Sequence, residues 1–197
     1  MAKMQQLVIH TTDTPYDRDV RKKDIMQWHL LPKRNDDGTI TYKGKKYASK
    51  NDLPDEKIEG LDIRKNINGR GWKVPGYSDM IYRDGTLENI VPYNFDDVID
   101  ASEITNGATG YNSNSRHVVL AGGWSKDGSI HNGKHRDGSY FRAEDLYTPE
   151  QIKTLVEYIE MQREIVSGLK VVGHNELSLK TCPNFDVQQF LREHNLK

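Results

Sequence analysis

What most constrains this chain is a set of short apolar runs, each ending at a polar or glycine-rich loop. Leu7-Val8-Ile9 gives way to His10-Thr11-Thr12, Val118-Val119-Leu120-Ala121 to Gly122-Gly123, and Val171-Val172-Gly173 to His174. Runs this short, bounded by turn residues, read as strands of a packed sheet. Between them the period changes. Val20, Ile25, Trp28 and Leu31 recur at roughly helical spacing and stop at Pro32, with Asp17 or Asp19 as the expected cap. Thr148-Pro149-Glu150-Gln151 joins a capping threonine to a proline at the first helical position, and Ile152, Leu155, Val156, Ile159 and Ile165 follow before Gly168. A closing helix is expected over Asp186 to His194. Strands alternating with helices predict an α/β layered domain, with residues 1–197 forming a single domain.

The stretch from Lys33 to Asn68 is different in character. It is charged, and turn signals at Asp36-Asp37-Gly38 and Lys43-Gly44-Lys45 bracket Thr39-Ile40-Thr41-Tyr42. It reads as an insertion carrying a small hairpin. Strand character resumes at Asp79-Met80-Ile81-Tyr82, turns at Arg83-Asp84-Gly85-Thr86 and returns through Leu87 to Val91, and long loops follow at 92–108 and 125–140.

Composition removes several classes of function. With 28 Lys+Arg against 29 Asp+Glu, the formal net charge is -1, without the basic excess of a nucleic-acid-binding domain. One cysteine forms no internal disulfide, so Cys182 is a buried bystander, a reactive thiol or a metal ligand. No apolar run approaches a signal-peptide core or a membrane span. The expectation is a chain made in the cytoplasm without a signal peptide, with no membrane insertion.

Candidate metal ligands stand at strand ends: His10 after the first run, His174 after the last, and Cys182 eight residues further on. Loops at one edge of a sheet converge in space. Two imidazoles and a thiolate suit a borderline-soft ion such as zinc, with a fourth position open for water. An ion so held keeps a net positive charge and acidifies bound water toward neutral pH. Asp13 or Asn175 is a candidate to orient a ligand imidazole. His131 and His135, four apart among Gly, Asn, Lys and Asp, read instead as part of a solvated loop. Trp72 is a candidate for core packing or for stacking on a sugar face.

Gly173-His174-Asn175-Glu176, then Lys180-Thr181-Cys182-Pro183-Asn184-Phe185-Asp186, resembles the closing signature of zinc-dependent N-acetylmuramoyl-L-alanine amidases of type 2. That family includes phage endolysins and shares its fold with peptidoglycan recognition proteins. Leu7 to Thr12 resembles its first strand, Gln27-Trp28-His29 the end of its first helix, and Gly76 to Thr86 its central strand and turn. Gly110 to Ser115 and Val118 to Gly123 resemble a further loop and strand. The matching blocks at 7–31, 69–90, 107–124 and 147–194 keep the family's order, and short phage amidases are nearest in pattern.

The resemblance implies a central mixed β-sheet flanked by helices. It also implies one zinc ion per chain held by His10, His174 and Cys182, with Tyr77 and Lys180 as polar catalytic partners. Lys180 would stabilise a developing oxyanion, and Tyr77 would hydrogen-bond the attacking water or that oxyanion. Some relatives carry a glutamate base at the position of Val119, so the tyrosine and lysine version is expected here. The implied reaction is hydrolysis of the amide between N-acetylmuramic acid and L-alanine in bacterial peptidoglycan. A phage-type endolysin, reaching the wall after release through a membrane pore, is the expected role. A cytosolic muropeptide-recycling amidase is the alternative, and a non-catalytic peptidoglycan-binding module is the alternative of another class, against which the retained Cys182 counts. Peptidoglycan or a muropeptide is the expected partner, and a host-protein partner is not legible. Ser78 and His117 carry no assigned role.

Overall fold

The computed structural model describes residues 1–128 and 133–196. The chain forms two compact units: Met1–Val20 together with Tyr77–Lys197, and Arg21–Gly76.

The first unit is built on a five-stranded sheet of β1 (Gln6–Thr11), β2 (Asp79–Ile81), β3 (Leu87–Asn89), β4 (Ser115–Leu120) and β5 (Lys170–Gly173). Their order is β5-β1-β4-β2-β3. The first four in that order are parallel and β3 is antiparallel at the edge, so the sheet is mixed, as expected. β1 and β4 lie inside it and are buried along their whole length, which is why each carries a continuous apolar run, Leu7–Ile9 and Val118–Leu120, instead of an alternation. Register sets Val8 opposite His117 and His10 opposite Val119. Alternation then divides the side chains between two faces. Leu7, Ile9, Val118 and Leu120 join a core with Leu155, Tyr158 and Ile159 of α3 (Pro149–Ile165) and Val187, Phe190 and Leu191 of α5 (Val187–Glu193). Val8, His10, His117 and Val119 point to the opposite face. The short helices α2 (Ala143–Leu146) and α4 (His174–Leu177), and an antiparallel pairing of Ala2–Lys3 with Val98–Ile99, belong to the same unit.

The start of α3 matches its sequence signal. Thr148 Oγ1 accepts the Gln151 N–H at 3.1 Å and Gln151 Oε1 accepts the Thr148 N–H at 3.1 Å. The buried Gln151 amide also donates to the carbonyls of Ala121 (2.9 Å) and Ile81 (3.3 Å), tying the helix start to the ends of β4 and β2. Leu155, one turn on, is fully buried. Leu155→Ala is expected to cost about 3 kcal/mol of stability through lost transfer energy and a residual cavity, read as a lower urea midpoint at unchanged slope.

The 92–108 loop is long but anchored. Arg116 of β4 is 1% exposed and lies 3.5 Å over the Tyr93 ring, with Glu103 at 3.8 Å and the Gln162 side-chain oxygen at 3.4 Å. Glu103 in turn accepts the Asn94 N–H at 2.7 Å, so both ends of the loop close around one buried cation.

The second unit begins with α1 (Lys22–Leu30). Its start differs from the expected caps at Asp17 or Asp19: the Asp24 carboxylate accepts the Arg21 N–H at 2.8 Å and closes the first turn from inside the helix. Lys33–Arg34, Ile40–Tyr42 and Lys45–Tyr47 then form a three-stranded antiparallel sheet. Lys43 and Gly44 both have positive φ, 49° and 76°, the conformation a two-residue hairpin turn needs. Leu31, Ile40, Tyr42, Leu53 and Ile63 give this unit a core of its own.

His29, on α1, is buried, accepts the Gly76 N–H on Nδ1 at 3.1 Å and packs 4.7 Å from the Trp72 ring, which also meets the Arg70 guanidinium. Burial, then the Arg70 charge, lowers its pKa from 6.5 to about 4. Above pH 6.5 both folded and unfolded chains hold it neutral. Below 6.5 the unfolded chain takes a proton that the folded one refuses, so stability falls until about pH 4. Between pH 7 and 5 this group is expected to remove about 2 kcal/mol. Urea unfolding of wild type and His29→Asn at both pH values checks it: equal pH slopes in the two proteins would refute the assignment. Among the described residues no helix is long and apolar enough to cross a membrane.

Candidate metal centre

β1 delivers His10 at its penultimate position, and β5 ends at Gly173, after which α4 begins with His174 itself. The Gly173 N–H donates to Glu176 Oε1 at 2.7 Å, closing that turn. The loop after α4 returns Cys182, whose carbonyl accepts the Asn175 N–H at 2.6 Å. The ligating atoms of His10, His174 and Cys182 all lie within 4.8 Å of one another. His10 Nδ1 is the nitrogen on the sulfur side, 3.7 Å from Cys182 Sγ, and the His10 and His174 ring centroids are 4.7 Å apart. Two buried imidazoles and a half-buried thiol that converge in this way at one end of the sheet fit a metal ion of borderline softness.

Electrostatics sharpen this picture. Burial pushes the Cys182 thiol up to about 12, against the Thr11 N–H that donates to its sulfur at 3.3 Å and against the nearby Lys180 charge. Burial, then Lys180, lowers His174 to about 4. The pocket thus keeps the imidazole uncharged, and a cation is what would draw the thiol to thiolate.

Tyr77 stands beside this cluster, and the charge of Lys180 acts on it. The Tyr77 ring centroid lies 5.0 Å from that of His10. Lys180 is exposed two residues before Cys182, and its charge bears on both His174 and Cys182. Val119 is opposite His10 and fully buried, so an apolar side chain, not a carboxylate, stands at this register position beside the cluster.

The hydrogen bonds of the expected orienting residues go to other groups, and among the described residues Asn175 Oδ1 is buried without one. Asp13 Oδ1 accepts from the Asn184 amide at 3.1 Å, and the Asn175 amide donates to the Phe185 carbonyl at 3.3 Å. What meets the far side of the His10 ring is His117, with Nδ1 2.9 Å from His10 Nε2. His117 is 0% exposed, and burial, then His174, lowers its pKa to about 3, so the ring is neutral. Its signal in the sequence was spacing: His117 and Val119 share a face of β4, and only the register shows that this face looks at His10.

Of the remaining histidines, His135 is exposed and stacks on Phe141 at 3.9 Å, away from any such cluster. His131 lies outside the described residues. His194 pairs with Glu144 at 3.2 Å. Among the described residues, His10, His174 and Cys182 are the one group of three or more such side chains placed to hold a metal.

No family model matches the chain. It is 28% identical over 143 residues to an endolysin of Escherichia phage T7, an alignment covering 73% of this chain and 81% of that protein. Among solved structures it is similar to the N-acetylmuramoyl-L-alanine amidase LysC of Clostridium intestinale URNW, with a TM-score of 0.57 at 16% identity, covering 100% of this chain and 88% of the other. It is also similar to Drosophila PGRP-LB, with a TM-score of 0.53 at 17% identity over 93% of this chain and 76% of the other. The fold is the one these structures share: a central mixed sheet with flanking helices.

Proposed function

We propose that this chain, endolysin-like in sequence and of the amidase and peptidoglycan-recognition fold, is a phage-type endolysin. It hydrolyses the amide between N-acetylmuramic acid and L-alanine in bacterial peptidoglycan. The observation that carries this reading is the convergence of His10, His174 and Cys182 within 4.8 Å, beside Tyr77 and Lys180. These three hold one zinc ion, which supplies Lewis acidity and acidifies water at neutral pH. Tyr77, standing against the His10 ring, holds the water or the oxygen of the amide carbonyl by its phenol. Lys180 places a full positive charge where negative charge grows as the carbonyl becomes tetrahedral. With Val119 in place of a carboxylate, no glutamate takes the proton, and the tyrosine phenol is the group that passes it toward the leaving amine. The wall polymer is the substrate, so the site of action is the cell wall.

Purified peptidoglycan digested by the protein is expected to gain free L-alanine amino groups without new reducing sugar ends. A chelator is expected to stop the reaction and added zinc to restore it. Release of reducing ends, or binding without cleavage, would overturn the reading. Cleavage of soluble muropeptides alone would assign the protein to recycling instead.

A further inference from the structure

Resting on the metal role proposed for His10, we propose that His117 is a positioning residue for that ligand. Its Nδ1 accepts the Nε2–H of His10 and so leaves the His10 Nδ1 lone pair for the metal.

The two ends of the His10 ring have different neighbours. Nδ1 lies 3.7 Å from the Cys182 sulfur, and Nε2 lies 2.9 Å from His117 Nδ1. A neutral imidazole carries one proton, so a hydrogen bond between two such rings fixes both tautomers together. If His10 donates from Nε2, its Nδ1 is a lone pair facing the cluster, and His117 carries its own proton on Nε2. If His117 donates instead, the His10 proton sits on Nδ1 and blocks the metal side. Only the first arrangement makes His10 a ligand.

The surroundings of His117 favour that role over packing. Among the described residues, its Nε2 has no hydrogen-bond partner although the side chain is completely buried. An apolar side chain would fill the space without that burden. What an apolar residue lacks is an acceptor at the position of Nδ1. The backbone beneath it is rigid: β4 pairs with β1 on one side and β2 on the other. The His117 carbonyl accepts the Ser78 N–H at 2.8 Å, and its own N–H reaches Ser78 Oγ at 3.4 Å. The acceptor is therefore held on the most constrained strand of the sheet, where an orienting group is most precise.

The experiment compares wild type, His117→Leu and His117→Asn. Asparagine Oδ1 is two bonds from Cβ, as histidine Nδ1 is, and retains an acceptor. Zinc affinity of the metal-free proteins is measured by chelator competition, with folding checked by circular dichroism. His117→Leu is expected to bind zinc about 10- to 100-fold more weakly, and His117→Asn to return within about threefold of wild type. Long-range proton–nitrogen NMR of the metal-free wild type is expected to show His10 and His117 both protonated on Nε2. Wild-type affinity in His117→Leu, no rescue by asparagine, or a proton on His10 Nδ1 would each overturn the proposal. Should His117→Leu fail to fold, the asparagine variant and the tautomer spectrum still decide it. A wild type that binds no zinc would instead overturn the metal reading, while the spectrum would still report the direction of the hydrogen bond.

Discussion

Cys182→Ala is expected to empty the metal site and lower wall hydrolysis by about three orders of magnitude or more, the largest effect of any single change in the chain. Of the three donors it is the one that becomes anionic, so its loss removes both a ligand and the charge that makes the set attractive to a divalent ion. Alanine leaves the Thr11 N–H without its sulfur acceptor, a modest local cost, while the core around α3 and α5 is untouched. Zinc content after dialysis, unfolding of the metal-free protein and hydrolysis of purified wall are the three readouts. The expected pattern is loss of the first and last with near-normal folding. A variant that kept stoichiometric zinc and full turnover would sink the assignment of Cys182 as a ligand.

Lys180→Ala is expected to separate binding from catalysis. Its ammonium is close enough to act on His174 and Cys182, yet it donates nothing to a metal. A positive charge there repels a cation at the site, so its removal leaves zinc affinity equal or higher. Turnover moves the other way: loss of a group that stabilises the developing oxyanion is worth about 100- to 1,000-fold in kcat. Titration with zinc and steady-state kinetics on a defined muropeptide test both signs together. Weaker zinc binding with an unchanged rate per bound metal would mean that Lys180 serves the metal, not the reaction.

The parts of this protein that could be read from its sequence are those whose cause is local. β1 and β4 were legible through the apolar runs at their centres and ends, Leu7–Ile9 and Val118–Leu120, which strands buried on both faces favour. The convergence of His10, His174 and Cys182 was legible because each follows such a strand or a recognisable motif. The start of α3 was legible because Thr148, Pro149 and Gln151 all act within one turn. What escaped depends on partners far away in the chain. His117 meets His10 only through the register of strands 107 positions apart. Arg116 is buried by Tyr93, Glu103 and Gln162, which lie 23, 13 and 46 positions away in the chain. The cap of α1 was misplaced for a smaller reason: Asp17, Asp19 and Asp24 are equally good carboxylates, and the path of the chain before Lys22 decides among them.

The sheet order has a consequence for how the molecule is made. β1 is synthesised first, yet its hydrogen-bonded neighbours are β4, beginning at Ser115, and β5, beginning at Lys170. The segment Arg21–Gly76 carries a hydrophobic core of its own, all of it translated before β4 and β5. β1 must wait, an unpaired apolar strand, until most of the polypeptide exists. His174 and Cys182 come later still, so a truncated product carries His10 but no donor set. On the proposed function, an unfinished copy is inert toward the wall, and lytic capacity is conferred only by chains completed past residue 182.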